Sequence, residues 1–455
     1  MNKKLFAEFP ENTKNDWIEQ AMTDLKGKSF ADTLVWHSND NFDIQPIYSK
    51  EDLFNLPIES IQAAQKNKNT GSWQNRPLVI YTNEKETNSQ IVSYLKLGAD
   101  AINIDFSSTD LHNVDFLKLL YSIKLSESPI FFKTQQVTEL FAKLSKFIHY
   151  FPKGGMQADF IADLFANNSS KELTWNNIKK TISQTEQFPD FKVINVSSHV
   201  FHNAGADEIQ ELAFVLAAAI ENLDKLTDLG LDPKQIISKL EFSMSIGTNY
   251  FFEIAKLRAL RFLWSKILEF YNCSSLIDNC QIHCQTSSFF ESTLSPYTNI
   301  LRATTEAMSA VIGGCDAITV LAYDSVLGEQ NSEVGQRIAR NVSVLMREEA
   351  HLNKTINPAS GSYYIENLTY QLSTVAWTLL QKVESLGGII AAFEKGFIID
   401  EINHSYALKV KNLQSGKVMV GVNKFRVEPE NESKTLENSN RSVFLQKRRL
   451  SEIYE

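Results

Sequence analysis

The chain has 455 residues, of which 43% are hydrophobic and 22% are charged. This composition supports a large buried core and excludes a disordered or fibrous protein. Lysine and arginine number 45 against 54 aspartates and glutamates, and the net charge of −9 argues against binding to nucleic acid or to an anionic membrane surface.

No stretch of the sequence predicts export or membrane insertion. The first 17 residues lack the apolar segment of a signal peptide. The longest strictly apolar run, residues 212–220, has nine residues, against the roughly 20 that a bilayer-spanning helix needs. Four cysteines in so long a chain do not indicate a disulfide framework. We therefore expect a cytoplasmic protein with neither nucleic acid nor membrane among its partners.

Residues 1–69 are predicted to form an N-terminal arm for subunit contact. An amphipathic stretch over residues 17–25 is followed by Gly27 and by an irregular segment with Trp36, Pro46 and Tyr48. Nothing in this arm can form a core of its own, so it must lie on the main body or on a partner. Our prediction is that it wraps a partner.

From residue 77 onward, short apolar runs alternate with helical periodicity. Seven of these runs predict strands: residues 77–81, 101–106, 129–134, 192–197, 240–246, 282–287 and 317–323. An eighth run, over residues 148–151, is weak. Strands alternating with helices indicate parallel βαβ units. For residues 70–427 we predict an α/β (β/α)8 TIM barrel with C-terminal helices; strand number alone does not exclude an open doubly wound sheet.

Long helical patterns follow the last predicted strand, over residues 333–349, 364–386 and 389–414. Residues 428–440 are polar and rich in proline, asparagine, serine and glutamate, as in a linker. A basic stretch over residues 442–455 has helical character. We interpret residues 428–455 as a truncated linker.

The sequence offers little in the way of general catalytic, phosphate-binding or metal-binding motifs. The sequence contains neither of the glycine-rich phosphate loops. Cys273, Cys280, His283 and Cys284 lie close together, but they lack the paired spacing of a structural zinc site, so buried reduced cysteines are the better interpretation.

Polar side chains follow two of the predicted strands, where catalytic groups of a barrel usually lie. His199 and His202 come after the strand at 192–197, and His283 and Gln285 belong to the strand end at 282–287. By composition alone, His199 and His202 are loop histidines satisfied by hydrogen bonds. The charged residues of the helix that follows residue 247 favour a solvated face; they are Glu253, Lys256, Arg258 and Arg261.

Several segments together resemble the methylmalonyl-CoA mutase family. The helix GTNYFFEIAKLRALRFLW at 247–264 is similar to that family's G-x-N-F-F-x-E-[IV]-A-K-x-R-A-x-R-x-L-W, and HCQTS at 283–287 is similar to its H-[ST]-Q-T-S. The segments around RIARN at 337–341 and INPASGSYYIENLT at 356–369 also match, in the same order along nearly the whole chain. The resemblance implies a TIM barrel and the radical interconversion of (R)-methylmalonyl-CoA and succinyl-CoA with adenosylcobalamin.

The departures from the family pattern concern its catalytic groups. Val200 stands where the family has its catalytic histidine, with His199 one residue away. Arg76-Pro77 is retained, but the tyrosine motif R-Q-Y-A-G that should follow is absent. Where the family has R-L-S-F, this chain has Lys239 at the start and Glu241 in place of serine. A carboxylate at that position would repel the phosphates of CoA.

The resemblance therefore implies a degenerate substrate pocket at Arg76, Lys239, His283 and Gln285, with no catalytic, cofactor-binding or metal-binding residues in this chain. The sequence also lacks D-x-H-x-x-G, the motif that ligates cobalt in the family's cobalamin-binding domain. We predict the small, non-catalytic subunit of a heterodimer whose large catalytic subunit carries adenosylcobalamin. The alternatives are the catalytic barrel chain of a split acyl-CoA mutase, whose cobalamin domain is a separate polypeptide, and a barrel repurposed for unrelated chemistry or binding.

Overall fold

Parallel β-structure surrounded by helices makes up the body of the protein. The computed structural model describes residues 12–38, 42–66, 70–145, 152–167, 172–328, 332–426 and 444–455. The described strands are β1 (Trp36–His37), β2 (Asp43–Ile44), β3 (Gln74–Asn75), β4 (Leu78–Ile80), β5 (Ile102–Asp105), β6 (Ile130–Lys133), β7 (Gly154–Met156), β8 (Phe191–Lys192), β9 (Ile194–Ser197), β10 (Leu240–Ile246), β11 (Ile282–Thr286) and β12 (Ala317–Thr319).

Helices precede the strands and separate most of them. They are α1 (Lys14–Asp24), α2 (Phe30–Leu34), α3 (Ile58–Ala64), α4 (Glu84–Lys96), α5 (Phe116–Leu119), α6 (Val137–Ser145), α7 (Phe160–Asn167), α8 (Glu172–Gln184), α9 (His199–Ala204), α10 (Glu208–Asp228), α11 (Pro233–Ser238), α12 (Tyr250–Phe270), α13 (Pro296–Ile312), α14 (Glu333–Glu348), α15 (Tyr363–Ser385), α16 (Gly388–Glu394) and α17 (Phe397–Gln414). The α/β class is therefore confirmed.

Two five-stranded parallel sheets carry the fold, in the orders β3-β12-β11-β10-β9 and β4-β5-β6-β7-β8. The sheets adjoin at two places in the chain, because β3 and β4 are separated by Arg76 and Pro77, and β8 and β9 by Val193. Backbone hydrogen bonds continue through the first break, where the Arg76 nitrogen donates to the Ile318 oxygen and the Pro77 oxygen accepts from Asn103. Since the strands of each sheet are parallel, their carboxyl ends share one edge.

The seven clearly predicted strands are all present, with the run at 192–197 divided between β8 and β9. The weak eighth prediction, residues 148–151, lies outside the described residues, and β7 is the strand between β6 and β8. Glycine is required there. Gly154 has a φ of +113°, and a Cβ on Gly155 would come within 2.6 Å of the Lys192 carbonyl oxygen.

Two helical predictions need correction. The pattern at 389–414 forms two helices, α16 and α17, because Gly396 between them has a φ of +79°. Residues 442–443 lie outside the described residues, and residues 444–455 are extended up to a short 3-10 turn at Leu450–Ile453. Tertiary contacts override helical propensity in this segment, whose backbone nitrogens at Leu445, Arg448 and Leu450 donate to carbonyl oxygens of the body.

The described part of the N-terminal segment lies on the same chain. Ile61 and Ala64 of α3 are buried in the main core. The ring of Trp36 contacts Phe252 on α12 with centroids 5.6 Å apart, and Tyr48 contacts Tyr364 on α15 at 5.4 Å. Among the described helices, none combines the length and apolarity needed to cross a bilayer.

Candidate functional site

A polar cavity of about 670 Å³ lies at the carboxyl ends of the strands; we call it the mouth cavity. Six of its lining side chains are Asn103, Gln157, Asn195, His199, His283 and Gln285. Successive side chains on a strand point to opposite faces, so His283 and Gln285 of β11 point into the cavity together. Ile282 and Cys284, which alternate with them, are fully buried in the core.

Two of the four predicted pocket residues line this cavity, and two do not. His283 and Gln285 line it, whereas Arg76 and Lys239 do not reach it. The Lys239 ammonium donates to the carbonyl oxygens of Thr185 and Phe188, at 2.7 and 2.5 Å, beside the amino end of β10. Lys239 therefore connects the segment that follows α8 to β10 by hydrogen bonds. It lies at the end of β10 that is opposite to the cavity.

Arg76 forms a fully buried ion pair with Glu241 of β10. The two guanidinium nitrogens lie 3.0 and 3.3 Å from the two carboxylate oxygens, a bidentate arrangement. The guanidinium carbon also lies 3.7 Å from the centroid of the Phe131 ring. The charge of the Glu241 carboxylate is therefore balanced by Arg76. The side chains of Arg76, Glu241 and Phe131 together fill space between the two sheets.

A chain of hydroxyl and imidazole groups crosses the floor of the mouth cavity. Thr319 donates to the Arg76 carbonyl oxygen at 2.6 Å, because a carbonyl can only accept. The Thr319 oxygen then accepts from His283 Nε2 at 2.8 Å. Burial and the charge of Arg76 lower the pKa of His283, so a ring that donates from Nε2 accepts at Nδ1, and Ser243 donates to it at 2.7 Å. His283 is thus neutral with its proton on Nε2.

His199 continues the same chain with both of its ring nitrogens. Since Ser243 has already donated its only proton, His199 Nε2 donates to Ser243 Oγ at 2.8 Å. His199 Nδ1 accepts from Ser245 Oγ at 2.7 Å. Burial, with the positive charge of Lys133 nearby, lowers the pKa of His199 to about 3. His199 is therefore a neutral imidazole without a free N–H.

Replacing His199 with asparagine should remove an acid-dependent loss of stability. The folded pKa of about 3 lies below the unfolded value of about 6.5, so the unfolded state binds the extra proton between these two values. The unfolding free energy of the wild-type protein therefore falls by up to about 1.4 kcal/mol per pH unit as the pH falls below 6.5. We expect the difference in unfolding free energy between the wild-type protein and His199→Asn to narrow between pH 7 and pH 4. Urea denaturation at each pH measures it.

The matched control is His404→Asn, since His404 is exposed on α17. Its unfolding free energy should follow that of the wild-type protein across the same pH range. Parallel curves for wild type and His199→Asn would contradict the assignment of a neutral, low-pKa His199.

The second predicted histidine, His202, belongs to a different group, the Lys256 cluster of His202, Glu211, Glu253 and Lys256. His202 Nδ1 lies 2.7 Å from Glu211, and the Lys256 ammonium lies 3.1 Å from Glu211 and 2.7 Å from Glu253. Lys256 and His202 lower the pKa of Glu211 to about 2 against the effect of burial, whereas burial raises that of Glu253 to about 8. One ammonium thus compensates one carboxylate, and the second carboxyl group is held largely neutral.

The solvated face predicted for this helix is wrong. All four charged residues are at most 2% exposed: Glu253, Lys256, Arg258 and Arg261. Arg258 pairs with Glu366 at 2.8 Å and Arg261 with Asp316 at 2.7 Å. Their partners lie more than 50 residues further along the chain, so helical spacing could not reveal them. The predicted hydrogen-bonded state of His199 and His202 is confirmed, although both lie on α9.

The four cysteines are buried thiols. Cys273, Cys280, Cys284 and Cys315 form no disulfide, in agreement with the interpretation as buried reduced cysteines. Burial raises the pKa of the Cys280 thiol to about 11, so this thiol is unreactive at neutral pH.

The C-terminal segment at 444–455 forms part of the wall of the mouth cavity. Leu445 and Lys447 line the cavity. Ser451 Oγ donates to the Glu291 carbonyl oxygen at 2.8 Å, and the Glu455 side chain accepts from the Thr293 nitrogen at 2.9 Å. Residues after the barrel-like core thus narrow access to the carboxyl ends of the strands.

Parallel strands with a cavity at their carboxyl ends define an α/β protein of the class in which ligands bind at that edge of the sheet. The family model for methylmalonyl-CoA mutase matches residues 150–455. The methylmalonyl-CoA mutase small subunit of Porphyromonas gingivalis is 34% identical over 93% of this chain and 71% of its own length. The chain therefore belongs to the methylmalonyl-CoA mutase family.

Other relatives are longer than this chain. Methylmalonyl-CoA mutase of Rhizobium meliloti is 27% identical over 95% of this chain, which spans 67% of that protein. The mitochondrial methylmalonyl-CoA mutase of Bos taurus is 29% identical over 94% of this chain, which spans 62% of it.

Proposed function

We propose that this chain is the small, non-catalytic subunit of a heterodimeric, adenosylcobalamin-dependent methylmalonyl-CoA mutase. Its similarity to a protein named as a small subunit supports this proposal. The observation that carries it is the state of His199. A histidine that polarises a thioester carbonyl must direct an N–H at that oxygen, and the only N–H of His199 is donated to Ser243. Val200, at the family's histidine position, lines the cavity with a side chain that cannot donate.

The described histidines in and beside the mouth cavity also do not fit the role of a cobalt ligand. A histidine that ligates cobalt needs one unprotonated ring nitrogen free for the metal. His199, His202 and His283 each engage both ring nitrogens with side chains of this chain. We therefore place adenosylcobalamin on the large subunit and assign no step of the reaction to residues of this chain.

The two sheets are proposed to form one closed (β/α)8 barrel. The continuous hydrogen bonding through Arg76 and Pro77 supports closure on one side. On the other side, the Val193 nitrogen donates to the Lys239 oxygen beside β10, while the Asp190 oxygen accepts from Gly154 of β7. The Arg76–Glu241 pair over Phe131 fits the interior of such a barrel, since it joins side chains of both sheets.

The role of the chain in the heterodimer is proposed to be structural. In the N-terminal segment, Trp36 contacts Phe252 of the same chain yet is still 48% exposed. Met22 and Phe54 are 57% and 70% exposed. Exposed large apolar side chains gain about 1.5–3 kcal/mol each when an interface covers them, so residues 1–69 are the proposed contact with the large subunit.

The isolated chain should show no mutase turnover when supplied with adenosylcobalamin and (R)-methylmalonyl-CoA. Neither His199 nor Val200 can donate to the thioester carbonyl, and the described histidines at the cavity have no ring nitrogen left for cobalt. Chromatographic detection of succinyl-CoA measures this. The positive control is the complex with a large family chain that carries D-x-H-x-x-G, which should turn over. Conversion by the isolated chain, abolished in His199→Asn, would overturn the proposal.

Phe54→Glu should weaken assembly of the complex while leaving the isolated chain folded.

A further inference from the structure

An apolar valley runs along the outer surface between α12 and α15; we call it the Phe270 valley. It contains two grooves of about 590 and 400 Å³ that share Phe270 and Trp377. Phe270 is 87% exposed at the end of α12. The first groove continues along Phe262 and Thr374, and the second along Ile220, Tyr271 and Leu380. A projecting aromatic ring between two apolar grooves is the form of a binding surface and not of an isolated exposed side chain.

The spacing of the side chains shows that both helices contribute one face. Phe262, Lys266 and Phe270 are separated by four residues each on α12, so they lie along one line of the helix. Ser373, Trp377 and Gln381 have the same spacing on α15. Each wall of the valley is therefore a helix face of about two turns, which suits an extended or helical segment.

One end of the Phe270 valley is acidic. Burial raises the pKa of Glu384 to about 7, and the neighbouring carboxylates of Glu221 and Asp224 raise it further. Glu384 Oε1 is buried and has no hydrogen-bond partner among the described residues. Asp224 accepts from the Tyr271 hydroxyl at 2.5 Å, and Lys225 lies 3.8 Å from Glu221. Among the ion pairs of the described residues, this is the one cation beside the three carboxyl groups, so a positively charged partner would compensate their remaining charge.

We propose that the Phe270 valley binds an amphipathic segment of another protein, whose apolar side chains fill the two grooves and whose lysine or arginine reaches Glu384. A second copy of this surface fits less well, since the one lysine that lines its grooves, Lys266, is already 3.3 Å from Glu269. This interaction goes beyond the proposed function and does not depend on it.

The test uses the full-length chain with a fluorescent label at Thr378→Cys. Thr378 is exposed in the first groove, and the four native cysteines are buried, so labelling is selective. Two probes are compared, both amphipathic helices of about 18 residues with a leucine face, one with lysines and one with glutamates on the polar face. We expect the lysine peptide to bind at least about tenfold more tightly than the glutamate peptide, with the dissociation constants taken from the change in fluorescence.

The variants locate the binding. Phe270→Glu should weaken the lysine peptide about tenfold or more, and Glu384→Gln several-fold. Tyr121→Glu is the matched control, because Tyr121 is another strongly exposed aromatic residue (72%), beside α4. Circular dichroism verifies that each variant is folded.

Three results would overturn the proposal. They are equal affinity for the two peptides, unchanged binding by Phe270→Glu, and a concentration-dependent dimer of the unliganded chain that Phe270→Glu dissociates. The last result would make a second copy the occupant of the valley.

Discussion

Replacing Glu241 with leucine is expected to lower the free energy of unfolding by about 3–5 kcal/mol. The substitution leaves the Arg76 guanidinium buried without a carboxylate, and the Arg76 side chain has no exposed surface. The Phe131 ring beneath it offers a cation–π contact, which compensates only about 1–2 kcal/mol. Urea denaturation at pH 7, monitored by tryptophan fluorescence, measures the loss.

The double variant Arg76→Met/Glu241→Leu is the control for this result. It removes both charges and replaces them with apolar side chains of similar volume, so most of the lost stability should return. A single variant that loses less than about 1 kcal/mol would show that water or another group compensates Arg76. A double variant that stays as unstable as the single one would show that the loss comes from packing and not from charge.

Replacing Lys256 with methionine is expected to cost about 3–5 kcal/mol at pH 8. The ammonium lies within 3.1 Å of both Glu211 and Glu253 and also donates to the Ser245 carbonyl oxygen at 2.8 Å. Without it, both buried carboxyl groups take folded pKa values above the unfolded value of about 4.3. The folded state then binds the extra protons, so the variant should lose stability as the pH rises from 4.3 and recover it toward acid pH.

The double variant Lys256→Met/Glu211→Gln separates the two carboxyl groups. Glu253 is already held largely neutral by burial at pH 7, so removing the charge of Glu211 should restore much of the stability at that pH. Unfolding free energies of the two variants between pH 5 and pH 8 provide the comparison. A pH-independent loss in Lys256→Met would contradict the charge assignment within the Lys256 cluster.

Local patterns predicted the strands well but not the elements defined by distant contacts. Residues 240–246 are apolar at every second position and coincide with β10. The strand β7 escaped prediction because its residues, Gly154, Gly155 and Met156, have no β-propensity. They are selected by the close approach of β6 and β8, which a single sequence does not reveal. The tail at 442–455 has helical periodicity, yet residues 444–449 are extended on the body and only a short 3-10 turn follows at Leu450–Ile453.

The candidate site was predictable at its strand ends and not in its interior. His283 and Gln285 follow from the position of a strand end. The roles of Ser243 and Ser245 depend on the strand that places them beside His199. Small polar residues at alternate positions of a buried strand were the available signal. Arg76 and Glu241 were each noted, but their pairing joins residues 165 positions apart, which no local pattern can indicate.

The pairing of β3 with β12 has a consequence for the order of folding during synthesis. Strands β4 to β8 pair with their neighbours in sequence, so this half of the sheet structure can assemble as it leaves the ribosome. Gln74 pairs with Ala317, and at roughly 5–20 residues per second their separation corresponds to a delay of about 10–50 seconds. Throughout that interval the edge of β3 that later pairs with β12 is unpaired and open to other chains. Co-expression with a chaperone should therefore raise the soluble yield of the protein.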